Sequence, residues 1–566
     1  MEQGPRRALN ARVVLVAALL VLAWSGIAYR LTVVQGSRSD EFAARGLDQR
    51  LQREVLAADR GTIFDRDGRE LAVTVDAVTV YANPAEIADA GFTATRLAPL
   101  VGRDPAALAA ELSVDSSFVY VARQLDPSVA ADIRAADLPG IYTLDEPSRL
   151  YPTGEIAAHV VGFVQSDDNS GLEGLELYYE TALAGTPGEL LVERDPYGNA
   201  IPQGEYEVVP AEPGSDLVTT VKLEIQYAAM DALARAIERT GARSGSVVVI
   251  DPETGAILAM ATMPTFDPND RSTITPDALR NRAVTDVFEP GSTQKLVTIS
   301  AALDTGLVAP STTFEIPPAI EIQDTVFEDA SRHEPVLDVT DIVAISSNLG
   351  TILVGDELGI RRLHTYLSSF GEGRRSGIDF PGEAEGFLRP PEEWCLTTCL
   401  AGTSIGYHVS VTPLQMAMVY ATIANDGVWM QPHLVAEIVD GHGARVAIEP
   451  EERRVVTQST ARLMRRMLQA VVERGTGGAA AVDGYRVGGK TGTTEKYLTE
   501  TETYSEEDVV ASFIGMAPID DPKVVIAVVL DSPTEDASGG SGAAPVFAEV
   551  ARAALHQLGV PPEPGS

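Results

Sequence analysis

The chain has 566 residues, is 45% hydrophobic and carries a formal charge of −38. That length excludes a small binding module and allows two or three domains with large cores. The acidic balance, with no run of basic residues, argues against nucleic acid as a partner, because phosphate binding needs Lys and Arg gathered on one face.

Val13 to Tyr29 is an uncharged, mainly apolar run long enough to span a bilayer, and Arg6, Arg7 and Arg12 precede it. The positive-inside rule puts the N-terminus in the cytoplasm and everything beyond about residue 35 outside. No small-x-small cleavage site or lipid-accepting Cys follows, which favours an anchor over a cleaved signal. Phe42, Leu47 and Leu51 then recur at helical spacing and predict a stalk helix over 36–58. From Asp59 strand-like runs flank an Asp67-Gly68 turn signal, two Ala-rich helical stretches are expected over 85–135, and Gly-, Pro- and Glu-rich segments run to Pro213. Residues 214–240 predict a strand and an amphipathic helix capped by Gly241, with a domain boundary there. Ser246 to Ala261 predicts a hairpin, and two more apolar strands fall near 511–531. Strands at both ends of a helical stretch imply an antiparallel sheet closed by the two ends of one domain. The acidic, Thr-rich segment 494–508 reads as a solvated, mobile loop.

Three short motifs carry candidate chemistry. Ser292 and Lys295 lie in FEPGSTQKLVTISAAL, where a Pro290-Gly291 turn feeds a helix and places hydroxyl and amine on one face. A serine needs a base to become a nucleophile, and a lysine can be that base only if its surroundings lower its pKa. Only Lys222, Lys295, Lys490, Lys496 and Lys523 are lysine among 43 basic residues. Lysine where arginine would be the habit is informative, since a guanidinium stays protonated. Ser346-Ser347-Asn348 interrupts an apolar helical stretch, and Lys490-Thr491-Gly492-Thr493 sits in a glycine-rich strand that could lie against a peptide. Alone, each fits a blander reading as a capped surface helix, a helix end or an edge strand. Their order, Ser-x-x-Lys, Ser-x-Asn, Lys-Thr-Gly, is the signature of penicillin-binding proteins and class A β-lactamases. Cys395 and Cys399 are too sparse for a zinc site, and no metal is indicated; paired and unpaired thiols both remain open.

Beyond these motifs the chain resembles the class B penicillin-binding proteins over nearly all its length after the anchor. RGTIFDRDGRELA at 60–72, RLYPTGEIAAHVVGFV at 149–164 and GLEGLELYYE at 171–180 look like that family's pedestal. VTPLQMAMVYATIANDG at 411–427 and GGSGAAPVF at 539–547 look like its transpeptidase domain. No room exists between anchor and pedestal for a glycosyltransferase domain, and NRAVTDVFEPGST at 281–293 is similar to the division-specific members.

The resemblance implies an α+β multidomain chain with a cytoplasmic tail over 1–12, a single transmembrane anchor over 13–34 and a β-containing pedestal over 35–240. A transpeptidase domain with a central antiparallel sheet flanked by helices follows over 241–558, and a disordered tail over 559–566. By the same resemblance Ser292 attacks a D-Ala-D-Ala carbonyl, Lys295 takes its proton and Ser346 relays a proton to the leaving group. Asn348 holds the substrate amide, Lys490 and Thr493 bind the terminal carboxylate, Thr491 and Gly492 shape the strand, and the N–H groups of Ser292 and Thr493 form the oxyanion hole. No cofactor is implied. The implied partners are peptidoglycan stem peptides, β-lactams, a membrane glycan polymerase and other division proteins, with the catalytic domain on the outer face of the cytoplasmic membrane. Gln294 and Leu296 stand where Phe and Pro are usual, which reads as tolerable packing, and His408 stands where glycine is common, an exposed loop histidine on the simplest reading. The alternatives are an elongation-type transpeptidase, a D,D-carboxypeptidase or β-lactamase, and a non-catalytic scaffold or β-lactam sensor.

Overall fold

The computed structural model describes residues 4–194, 201, 206–323, 325–395, 398–498 and 503–563. They form two compact units, 1–59 with 185–213, and 60–184 with 214–566.

In the first unit, helix α1 (Gly4–Thr32) has its side chains exposed from Asn10 to Thr32, and Asn10–Gly36 is long and apolar enough to cross a membrane. The helix begins within the tail expected over 1–12, of which residues 1–3 lie outside the described residues. Helix α2 (Ser39–Arg50) is braced by Glu41, which pairs with both Arg38 and Arg45. The stalk helix expected to 58 stops there. Leu51–Leu56 is strand β1, antiparallel to β6 (Gly188–Glu193), which also pairs with β7 (Tyr206–Val209). Leu47 and Leu51 fit a helical period, but the ladder to a segment far along the chain wins, a tertiary effect invisible to local spacing.

In the second unit, β2 (Ile63–Phe64) and β3 (Glu70–Ala82) form the expected hairpin. Asp65 accepts from the N–H groups of Asp67 and Arg69, and Gly68 takes φ +85°. The 85–135 stretch holds three helices and a strand where two helices were expected. They are α3 (Ala90–Val101), α4 (Pro105–Glu111), β4 (Val119–Leu125) and α5 (Pro127–Ala135), the helices N-capped by Asp89, Asp104 and Asp126. Leu97, Leu108 and Ile133 pack on Val80 and Val121. Strand β5 (Ile141–Leu150) pairs with β3 along ten residues.

The three pedestal-like sequence blocks meet at one buried carboxylate. Glu176 accepts from Arg60 at 2.6 Å and from Arg149 at 2.7 Å, and Arg60 also pairs with Glu180. Strand β8 (Asp216–Thr219) lies parallel to β2 and antiparallel to β11 (Val435–Val439), which pairs with β12 (Arg445–Ala447). One seven-stranded sheet therefore joins the pedestal to a later part of the chain.

Helix α6 (Leu223–Thr240) ends at Gly241, whose φ of +64° closes the cap. Its Ile225, Ala229 and Leu233 are buried with Val247, Phe513 and Phe547. A boundary at 240 thus cuts α6 from the core it packs into; an amphipathic pattern shows that a face is buried, not what covers it. That core is built on β9 (Ser244–Ile250), β10 (Ile257–Met263), β13 (Gly488–Leu498), β14 (Thr503–Ala517) and β15 (Val524–Asp531). They form an antiparallel sheet in the order β10-β9-β15-β14-β13, with both ends of the domain paired at its centre. The loop expected over 494–508 is mostly ladder, with Tyr497 opposite Tyr504; residues 499–502 lie outside the described residues. Thr494, Tyr497, Thr503 and Tyr504 suit a strand better than the acidity of the segment suggested. The tail expected to be disordered from 559 is held to Glu563: Tyr485 donates to the Val560 carbonyl at 2.7 Å, and Glu563 pairs with Arg486. Residues 564–566 lie outside the described residues.

Candidate active site

The FEPGST segment is clamped at several points. Phe288 and Val411 exchange backbone hydrogen bonds, Gly291 donates to Gly406, and Thr293 Oγ1 donates to Pro290 at 2.7 Å. Gly406 has φ +94°, and a Cβ there would lie 2.1 Å from the Gly291 carbonyl oxygen, so glycine is required. Gly291–Gln294 is a 3₁₀ turn leading into α7 (Lys295–Asp304). The fully buried helix α11 (Pro413–Ala424) supports it, with the Tyr420 hydroxyl on the Thr293 carbonyl at 2.9 Å. Ser292 is half-buried at the start of this turn, and its hydroxyl makes no hydrogen bond among the described residues.

Lys295 is buried, and its Nζ donates to the Ser346 carbonyl at 2.6 Å, to Asn348 Oδ1 at 2.7 Å and to Ser346 Oγ at 3.3 Å. Burial pushes its pKa down to about 7, opposed by the carboxylate of Asp329. Lys490, equally buried on β13, donates to Ser346 Oγ at 2.7 Å. Burial, then the charge of Lys295, holds its pKa well below the ordinary range. The Ser346 hydroxyl thus lies between two amines.

Ser346 takes φ +64° between two helices, and Ser347 caps α8 (Asn348–Leu358) by accepting from Gly350. The triplet is therefore a helix end as well as a site. Asp329 holds it: the carboxylate accepts from Ser347 Oγ at 2.7 Å, from the N–H of Asn348, from the N–H of Leu349 at 3.1 Å and from His333 Nε2 at 2.7 Å. His333 Nδ1 lies 2.7 Å from the Glu334 carbonyl, and both contacts raise the imidazole pKa, the Glu334 one more. Sequence reasoning missed Asp329 and His333, since nothing in their local pattern links them to the Ser-Ser-Asn turn.

Strand β13 carries the third motif at the edge of the sheet. Thr491 Oγ1 is 2.7 Å from Thr476 Oγ1, and exposed Thr493 accepts from the Gly539 N–H at 3.1 Å. A Cβ at Gly492 would meet Ser512 Oγ at 2.3 Å and Thr293 Cγ2 at 3.0 Å, so glycine lets β13 lie against the Ser292 turn. Beside the turn opens a cavity of about 740 Å³ whose lining includes Glu289, Arg389, His408, Thr494, Tyr497 and Tyr504, though not Ser292. His408, exposed, has φ +63° and donates its N–H to Glu289 at 2.8 Å, so it accepts a backbone conformation that favours glycine. Leu296 is core, but Gln294 is more than packing: its buried amide donates to Glu372. Cys395 and Cys399 form a disulfide at the head of α10 (Thr398–Ser404).

A model of the penicillin binding protein transpeptidase domain matches residues 245–552, and one of the penicillin-binding protein dimerisation domain matches 55–219. The chain belongs to the class B penicillin-binding proteins. It is 34% identical to the probable peptidoglycan D,D-transpeptidase PbpC of Pseudomonas aeruginosa, covering 98% of this chain and 96% of that one. It is 32% identical to the peptidoglycan D,D-transpeptidase FtsI of Escherichia coli, over 98% and 92% of the two chains. The crystal structure of penicillin-binding protein 3 from Mycobacterium tuberculosis, complexed with aztreonam, superposes with a TM-score of 0.71 at 31% identity, over 90% of this chain and 98% of that one. This penicillin-binding protein is therefore a transpeptidase, membrane-anchored through an apolar N-terminal helix.

Proposed function

We propose that this penicillin-binding protein cross-links peptidoglycan stem peptides through an acyl-enzyme on Ser292, on the outer face of the cytoplasmic membrane, in septal wall synthesis. The observation that carries the catalytic part is the Ser346 hydroxyl held by Lys295 and Lys490 beside the Ser292 turn. Neutral Lys295 takes the Ser292 proton as Oγ attacks the D-Ala-D-Ala carbonyl. The oxyanion faces the N–H groups of Ser292 and Thr493. The C–N bond to the terminal D-Ala breaks, and its amine leaves with a proton passed through Ser346. Attack by the amine of a second stem peptide breaks the ester, forms the cross-link and returns the proton to Ser292. Lys490 and Thr493 face the donor carboxylate, Asn348 its amide, and Thr491 and Gly492 keep β13 close. A β-lactam takes the donor's place and stalls at the ester.

Incubating the protein with a fluorescent penicillin, beside Ser292→Ala, tests the assignment. A covalent adduct on the wild type alone is expected, and equal labelling of both removes it. The septal role rests on the 281–293 block and the likeness to FtsI, with a membrane glycan polymerase and other division proteins as partners. Depletion that yields filaments supports that role, and swollen cells that still divide point to the elongation type.

A further inference from the structure

Gln294 lies within the Ser-x-x-Lys motif. It is fully buried, and so is Glu372, just beyond the C-terminus of α9 (Ile360–Phe370). Gln294 Nε2 lies 2.9 Å from Glu372 Oε1 and 3.1 Å from Oε2, so both carboxylate oxygens share one amide nitrogen. Gln294 Oε1, also buried, has no donor among the described residues. An anion beside an unmet acceptor, with no counter-ion, is an expensive arrangement. A protonated carboxyl removes both faults. Its O–H becomes the donor that Gln294 Oε1 lacks, and its carbonyl oxygen accepts from Nε2, after rotation about the soft terminal torsion of Gln294.

We propose that Glu372 is a neutral carboxylic acid paired with the Gln294 amide, and that this pair positions the Ser292–Lys295 turn for acylation. The inference rests on the assignment of Ser292 and Lys295 above. Gln294 is the last residue of the nucleophile's turn and directly precedes the base, so its anchoring fixes where α7 starts. Glu372 is itself fixed, its N–H donating to the Leu367 carbonyl at 3.1 Å. Burial pushes the Glu372 carboxyl up to about 8, which agrees with a protonated pair at neutral pH.

The titratable groups on the neighbouring elements are Lys295 and Asp304 on α7, Asp356 and Glu357 on α8, Tyr420 on α11, Arg361, Arg362, His364 and Tyr366 on α9, Arg374 and Arg375 just beyond, and Arg453, whose guanidinium stacks on Trp429 and would lie 3.7 Å from a Cβ at Gly371. Lys295 is held by Ser346 and Asn348, Asp304 by Tyr366, Tyr420 by the Thr293 carbonyl and Arg375 by Glu385. Among the described residues none of them pairs with Glu372, so no cation holds it ionised. As a positioning residue, Glu372 makes acylation fall above about pH 8, where the proton that completes the pair is lost.

The test is the rate of fluorescent-penicillin acylation from pH 6 to 9.5 on the full-length protein in detergent, with the adduct located by peptide mapping. In the wild type the rate rises as Lys295 becomes neutral through about pH 7 and falls above about pH 8. Glu372→Gln replaces the acid–amide pair by an amide–amide pair that cannot titrate. It is expected to keep the rate within about threefold at pH 7.5 and to abolish the alkaline fall. Glu372→Ala, with the pair broken, is expected to acylate on the order of tenfold to a hundredfold more slowly. An alkaline fall that persists in Glu372→Gln overturns the proposal. So does a folded Glu372→Ala that acylates at the wild-type rate; if that variant does not fold, the Glu372→Gln profile decides. Absence of any Ser292 adduct in the wild type instead removes the assignment of the nucleophile.

Discussion

Asp329→Asn removes the carboxylate that opposes the lowering of the Lys295 pKa, while keeping the shape of the group that holds the Ser-Ser-Asn turn. Asp329 bonds the backbone of Asn348, whose side chain in turn holds Lys295 Nζ, so anion and amine are one residue apart. At roughly 7 Å and an effective dielectric of about 20 their attraction is at most about 2.4 kcal/mol. The neighbouring His333 and solvent reduce this, and a drop of about one pKa unit is the expected effect. Removing an anion disfavours the ammonium, so the midpoint of the rising limb of acylation moves from about 7 toward about 6. At pH 5.5 the neutral fraction of Lys295 then increases from about 3% to about 24%, roughly eightfold. The assay is fluorescent-penicillin acylation between pH 5 and 8 on both proteins. A lower plateau in the variant reports lost positioning and leaves the argument intact. A midpoint that stays at about 7 or moves upward, in a folded variant labelled on Ser292, refutes it.

Gly406→Ala forces a Cβ against the Gly291 carbonyl at a φ of +94° and should cost about 2–3 kcal/mol, read as a lower melting temperature, and slow acylation at least about tenfold. Arg149→Met leaves Glu176 with one guanidinium partner fewer in a fully buried site, and a loss of about 3–5 kcal/mol is expected in urea unfolding. Native stability should rise between about pH 7 and Lys295's ordinary pKa of 10.5, because there the unfolded chain binds a proton that native Lys295 has released; denaturation midpoints in that range, compared with Lys295→Met, isolate the contribution. Reducing the Cys395–Cys399 disulfide frees only a short loop and should cost at most about 2 kcal/mol, measured by melting with and without reductant.

Local sequence was sufficient for the features that depend on local physics. The apolar run after Arg12, the turn at Asp67-Gly68, the cap at Gly241 and the hairpin from Ser246 follow from chain composition and backbone preference, and each stands where it was expected. The Ser-x-x-Lys, Ser-x-Asn and Lys-Thr-Gly motifs were legible because their residue types are scarce in other roles, lysine above all in this arginine-rich chain. Tertiary structure alone decided what those motifs touch. Leu51–Leu56 became a strand because a partner waited near residue 190, and α6 joined the later domain because its apolar face fits that sheet. Asp329 reached the Ser-Ser-Asn turn, and Glu372 reached Gln294, only when distant segments packed together. Both positions look like ordinary surface acids in the sequence. The charge that Asp329 brings near Lys295 and the burial of Glu372 against Gln294 are properties of the folded chain.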